Sequence, residues 1–350
     1  MINNIRNRDI NKWKELPYCE KFYWLPRLSI GTAFDYFNIN VGGDVVVNGS
    51  YRTGNIGDLA IGSIIKMEIE KRYNRKCKLN GCNFLKQNFS KFNIYIIGGG
   101  ALFDGDHLVN KLLPLKNAKK SMIMGNSITK ITSKKNKKVL KLINEADLIT
   151  VRDKKSKEYL EQLINKEINV TADPAFLFKK HNHKQIENSL GISLKFLPLN
   201  ENKKNKKLIE FINNNLKKLT KEFKLFFISF SPEDTIVIRK YFKKYSTNII
   251  YARTPDKTLE AIEKMERMIC MRLHSLIFSL VAEKPLFIIN YDEKMDELCE
   301  RMKHFINVSK INEKDIMCFN NNRNDIKKIK MEYQKRAEMN FDLFSKLVHR

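Results

Sequence analysis

Two short apolar runs, Met268–Met271 and Leu286–Ile289, stand on either side of an apolar segment, Leu276–Ala282. Each run has the length of a buried strand, and the segment between them reads as a buried helix. Strand, helix and strand within about 25 residues make a βαβ unit, whose two strands must run parallel. In open parallel sheets, ligands lie beyond the carboxyl ends of the strands. Arg272 and His274 fall at such an end, where a helix begins whose positive pole favours anions. Tyr291, Asp292 and Lys294 follow the next strand. A guanidinium and a titratable imidazole so placed suit a phosphorylated or carboxylated ligand. The same pair also fits a helix cap beside a solvated charge, and these residues alone do not choose.

The rest of the chain repeats the alternation. Strands are expected at Asp44–Asn48, Ile94–Ile97, Met122–Met124, Leu148–Val151 and Ile168–Thr171, with helices between them. After an irregular stretch the pattern resumes with strands at Leu225–Ser229 and Asn248–Tyr251. The implied fold class is α/β with two Rossmann-like domains built on parallel sheets. The expected organisation is an N-terminal extension over 1–42, a first domain over 43–178 and a linker over 179–207. A second domain over 208–322 and a long amphipathic helix over 323–350, crossing back onto the first domain, complete it.

Glycines mark two strand ends. Gly54-Asn55-Ile56-Gly57-Asp58 lies between a strand and a helix expected from about Leu59 to Tyr73, and Gly98-Gly99-Gly100 closes another strand. Glycines let a backbone approach a ligand and leave its amides bare. The first resembles the start of a nucleotide-binding βαβ unit, yet it is neither GxGxxG nor a phosphate-binding loop with Gly-Lys-Ser/Thr, so no specific nucleotide follows. The first is equally a tight turn with Asp58 as helix cap.

The formal charge is +26, and lysines alternate with asparagines through nearly every helix. That spread reads as solvated faces rather than a nucleic-acid footprint, and no zinc finger or aromatic–basic stripe argues otherwise. The six cysteines show no CxxC and no zinc-like spacing. His181-Asn182-His183 reads as polar linker sequence, and no metal site is expected. No apolar run reaches the roughly 18 residues of a membrane span. The economical reading is a reduced, cytoplasmic protein; its charge leaves association with a membrane surface open.

In order, the motifs GNIGDLAIG, IIGGGALFDG, TVRDKKSKEYL, TADPAFLF and MRLHSLIFSLVAEKPLFIINYDEK resemble the polysaccharide pyruvyl transferase family. The resemblance runs from about Val45 to Met302. It implies two domains arranged like a GT-B glycosyltransferase, facing a cleft that holds the active site. It implies transfer of a pyruvyl group from phosphoenolpyruvate to a sugar, forming a ketal. His274 matches the catalytic position, and Arg152 and Arg272 match donor-binding positions. With them the donor side comprises Asn55, Gly57, Asp58, Gly98, Gly99, Gly100, Tyr291 and Lys294. Two arginines suit a trianionic donor, and they would meet around it only when the cleft closes. No cofactor is required beyond phosphoenolpyruvate as co-substrate, although a divalent ion could assist. The acceptor is a sugar or glycan, with its linkage, any lipid carrier and the oligomeric state left open. FFISFSPEDT, at the entry to the second domain, matches only loosely. Two other readings stay in play: a GT-B glycosyltransferase using a nucleotide sugar, and a non-enzymatic glycan- or nucleic-acid-binding protein.

Overall fold

The computed structural model describes residues 43–81, 89, 91–99, 108–128, 131, 136–195, 203–245, 247–308, 319 and 322–349. The expected N-terminal extension over 1–42 lies outside these residues, as does Gly100. The described chain divides into two compact units. One holds the residues up to Lys180 together with those from Asn324 onward, and the other spans His181–Arg323.

The first unit is a six-stranded parallel sheet in the order β2-β1-β3-β4-β5-β6. Its strands are β1 Gly43–Asn48, β2 Cys77–Asn80, β3 Phe92–Gly98, β4 Lys120–Asn126, β5 Leu148–Val151 and β6 Asn169–Val170. Helices α1 Ile56–Tyr73, α2 Leu108–Asn117, α3 Asn136–Asn144 and α4 Lys154–Glu161 link them. The inner strands are nearly continuous apolar runs: Val45, Val46 and Val47 are fully buried, as are Tyr95 and Ile96. Helices on both faces of a parallel sheet require such runs.

The second unit is also a six-stranded parallel sheet, in the order β12-β11-β10-β7-β8-β9. It contains β7 Ser189–Ser193, β8 Lys224–Ile228, β9 Ile249–Ile250, β10 Arg267–Cys270, β11 Leu286–Asn290 and β12 Phe305–Asn307. Its helices are α5 Lys203–Leu219, α6 Pro232–Tyr241, α7 Pro255–Glu263, α8 Leu273–Val281 and α9 Asp296–Met302. Counted within the unit, the strand order is 3-2-1-4-5-6, that of a dinucleotide-binding fold.

One expectation fails here. The stretch 179–207 is not a linker: it carries β7 and the start of α5. All five residues of β7 are buried, and the strand pairs with β10 on one side and β8 on the other. Its sequence, Ser-Leu-Gly-Ile-Ser, lacks an apolar run because neighbouring strands and helices, not its own side chains, seal it from water. The boundary between units falls at Lys180–His181.

The last helix, α10 Arg323–His349, lies on the first sheet. Asn340 is fully buried there. Its side-chain oxygen accepts from Thr150 at 2.7 Å and Thr171 at 2.8 Å, while its amide donates to the Ala172 carbonyl at 3.0 Å. Tyr73 of α1 donates to the Phe341 carbonyl at 2.6 Å. A buried amide satisfied on both sides fixes the register of α10 against β5 and β6. No helix among the described residues is long and apolar enough to cross a membrane.

Candidate active site

In the second sheet the direction of winding reverses between β7 and β10, which lie side by side. Chains leaving such neighbours diverge, and the crevice between them is where open α/β sheets take ligands. Lys195 follows β7 by two residues, Arg272 follows β10 by two, and Tyr291 comes directly after β11. The three side chains therefore stand on consecutive strands at one edge.

Arg272 occupies the N-cap of α8, with extended backbone. Its guanidinium forks onto Asp234: Nε donates to Oδ2 at 2.6 Å and Nη2 to Oδ1 at 2.5 Å. Nη2 also donates to the Ser231 hydroxyl at 2.8 Å. Asp234 is fully buried in the first turn of α6, where its Oδ2 also accepts from the amides of Phe230 and Ser231. This fork fixes the Arg272 guanidinium and commits much of its charge to Asp234. His274 is the second residue of α8 and is buried.

Beyond β11 the charges are packed differently. The Lys195 ammonium lies 3.9 Å from the centre of the Tyr291 ring, and Lys294 lies 5.3 Å from it. Lys294 pairs with Asp292 at 3.2 Å. Burial holds the Lys195 pKa below its usual value, and Lys294 and Arg272 add to that by repulsion. Burial acts to raise the Tyr291 pKa, but Lys294 and Lys195 outweigh it and leave the phenol more acidic than usual. Cys270 lies just before the Arg-Leu-His segment and is fully buried. Burial pushes its thiol up to about 12.

The first sheet reverses direction between β1 and β3. There the chain fills its own crevice. Tyr51, buried, donates from its hydroxyl to the Gly98 carbonyl at 2.9 Å. A Cβ added at Gly98 would stand 2.7 Å from that hydroxyl, and one at Gly62 would stand 2.6 Å from the ring. Gly99 has φ of +62°, and its amide donates to the Met124 carbonyl at 3.2 Å. Glycine is thus demanded at these positions by internal packing and, at Gly99, by a left-handed backbone.

The turn before α1 is likewise accounted for locally. Asn55, not Asp58, caps the helix, because its side-chain oxygen accepts from the Gly57 amide at 3.0 Å. Its amide group donates to Asp58 at 2.9 Å. The helix begins three residues earlier than the expected Leu59, since Gly57 is tolerated in a capped first turn.

Arg152, at the end of β5, is buried and donates from Nη1 to Asp173 at 2.8 Å. Its Nε is buried and has no hydrogen-bond partner among the described residues. Asp173 also caps the short 3-10 turn Pro174–Leu177, accepting from the Ala175 amide.

Arg272, His274, Tyr291 and Lys294 therefore share one edge of the second unit. Arg152, Asn55, Gly57, Asp58, Gly98 and Gly99 belong to the first. Lys195, Ser231 and Asp234 were missed by sequence reasoning. Lys195 lay in the supposed linker, and Ser231-Pro-Glu-Asp234 carried a readable signal, since Ser-x-x-Asp with proline at the first helical position marks a helix start. Among the described residues no group of three or more histidines, cysteines and carboxylates could hold a metal ion.

A family model described as polysaccharide pyruvyl transferase matches residues 55–293. No curated protein matches the sequence. UDP-GlcNAc 2-epimerase from Methanocaldococcus jannaschii, solved with UDP-GlcNAc and UDP, is 12% identical. The match covers 84% of this chain and 93% of that one, with a TM-score of 0.50. A mutant of S. aureus TarM is 16% identical with a TM-score of 0.38, over 71% of this chain. The chain spans about half of TarM, 49% of its length. At such identities the likeness to the epimerase concerns the fold alone.

Proposed function

The chain belongs to the polysaccharide pyruvyl transferase family, and on that premise we propose that it moves the pyruvyl group of phosphoenolpyruvate onto two hydroxyls of a sugar in a surface polysaccharide or its precursor. The product is a pyruvate ketal, and phosphate is released. Protonating the methylene carbon makes the central carbon an electrophile like an oxocarbenium ion. One hydroxyl adds there, the carbon–oxygen bond to phosphate breaks, and the second hydroxyl closes the ketal. Of the two hydroxyl protons, one replaces the proton given to the new methyl group and the other leaves with phosphate.

His274 is the group assigned to that proton traffic. The observation that supports it is its position: buried in the first turn of α8, beside Arg272 at the sheet's switch point. An imidazole gives and takes protons near neutral pH, the requirement for a group that must do both in one turnover. Arg272 and Lys294 are the donor-side cations, and the Tyr291 ring packs against Lys195 and Lys294.

The test combines calorimetry with turnover. Phosphoenolpyruvate should bind the wild type and His274→Ala alike. Phosphate release, measured across a panel of free and lipid-linked sugar acceptors, should fall about 10²–10⁴-fold in the variant. Stabilisation by nucleotide sugars and none by phosphoenolpyruvate would replace this reading with glycosyl transfer.

A further inference from the structure

Three cations crowd the carboxyl edge of the second sheet, and their partners do not match them. Arg272 has Asp234, and Lys294 has Asp292. Among the described residues no carboxylate lies within ion-pair distance of Lys195. Lys294 and Arg272 repel it, whereas Tyr291, whose ring lies 3.9 Å from the ammonium, and Asp292 attract it. Burial and the two cations outweigh those attractions, so the charged form of Lys195 is disfavoured and an arriving anion would relieve it. Lys195 is also held in place. Its backbone amide donates to the Met271 sulfur at 3.4 Å, which ties the end of β7 to the end of β10. Those two strands flank the switch point, where the fold leaves room for a ligand.

We propose that Lys195 binds the phosphate or carboxylate of the donor, and that with Arg272 and Lys294 it forms a three-cation site over the switch point. The inference rests on phosphoenolpyruvate being the donor. Tyr291 acts through its neighbours as a positioning residue, since both ammonium groups pack against its ring.

The sign of the pH dependence follows from the groups that face one another here: Lys195, Tyr291, Lys294, Asp292, Arg272 and Asp234. Lys195 has a lowered pKa, so it loses its charge earlier than an ordinary lysine as pH rises. Tyr291, also lowered, gains a negative charge in the same direction. Both changes weaken anion binding. Donor affinity should therefore fall as pH rises, beginning below the ordinary lysine value of 10.5.

Calorimetric titration of phosphoenolpyruvate, and separately of inorganic phosphate, tests this between neutral and alkaline pH. Lys195→Met should weaken phosphoenolpyruvate binding about ten- to a hundredfold, the loss of one charge-assisted contact. Lys195→Arg should keep most of the affinity and move the alkaline fall upward, and Tyr291→Phe should remove the phenol's share of that fall. Melting temperatures near wild type would show that Lys195→Met folds. Equal binding by wild type and Lys195→Met would overturn the role of Lys195 while leaving the donor reading intact. Binding of phosphate that depends on Lys195, with no binding of phosphoenolpyruvate, would overturn the donor reading and keep the anion site.

Discussion

The two sheets reverse their winding in the same way and treat the resulting crevice in opposite ways. In the first, Tyr51 closes it: the ring sits among Gly49, Gly62 and Gly98, and its hydroxyl is spent on the Gly98 carbonyl. In the second, Lys195, Arg272 and Lys294 line it with more positive charge than Asp234 and Asp292 neutralise. A fold rule says where a ligand can bind. Only the local balance of volume and charge says whether the place is vacant. Glycines at a strand end signal close approach, and in the first unit what approaches is the protein itself.

The sharpest way to break this contrast is at the two arginines. Arg152 and Asp173 are both buried, with side chains 6% and 2% exposed. Arg152→Ala would take the guanidinium away from the buried Asp173 carboxylate, and should destabilise the first unit by about 3–5 kcal/mol in urea unfolding. A variant of wild-type stability that no longer binds phosphoenolpyruvate would make the first edge a binding site as well. Next in size is Gly98→Ala. Its methyl would press on Tyr51, Ile65 and Val47, each within 2.8 Å. The expected loss is about 1–3 kcal/mol, part of it recovered when Tyr51→Phe removes the hydroxyl. Unchanged stability with weakened donor binding would mean that the glycine serves a ligand after all. The smallest effect belongs to Asn55→Ala, which removes the cap of α1 and should cost about 1 kcal/mol in thermal unfolding, with donor affinity unaltered. A drop in affinity without a change in melting would reverse its assignment.

The sequence carried the fold where strands are apolar runs and failed where they are not. Val45–Val47 and Ile94–Ile97 announce buried strands in their own side chains. Ser189–Ser193 does not, because its burial is conferred by β8 and β10, which lie far along the chain. Misreading that strand also hid Lys195, since a lysine inside a supposed linker looks solvated. Arg272 and His274 were legible because a charged pair directly after an apolar run is conspicuous. Their partner Asp234 was not, being 38 positions away and recognisable only as a helix cap. The separation of Gly98 from Tyr51 likewise concealed why that glycine is needed, since contacts between distant positions leave no local pattern.

The hold of Asn340 on Thr150 spans 190 positions. During synthesis, β5 and β6 leave the ribosome long before the helix that satisfies them exists. The whole second sheet, whose strands are contiguous in the chain, is made in the interval. Domains generally fold as units while the chain emerges. Here the later-made unit can complete itself first, whereas the earlier one, with Thr150 and Thr171 still awaiting Asn340, finishes only once α10 has been made. Order of manufacture and order of completion are thus inverted.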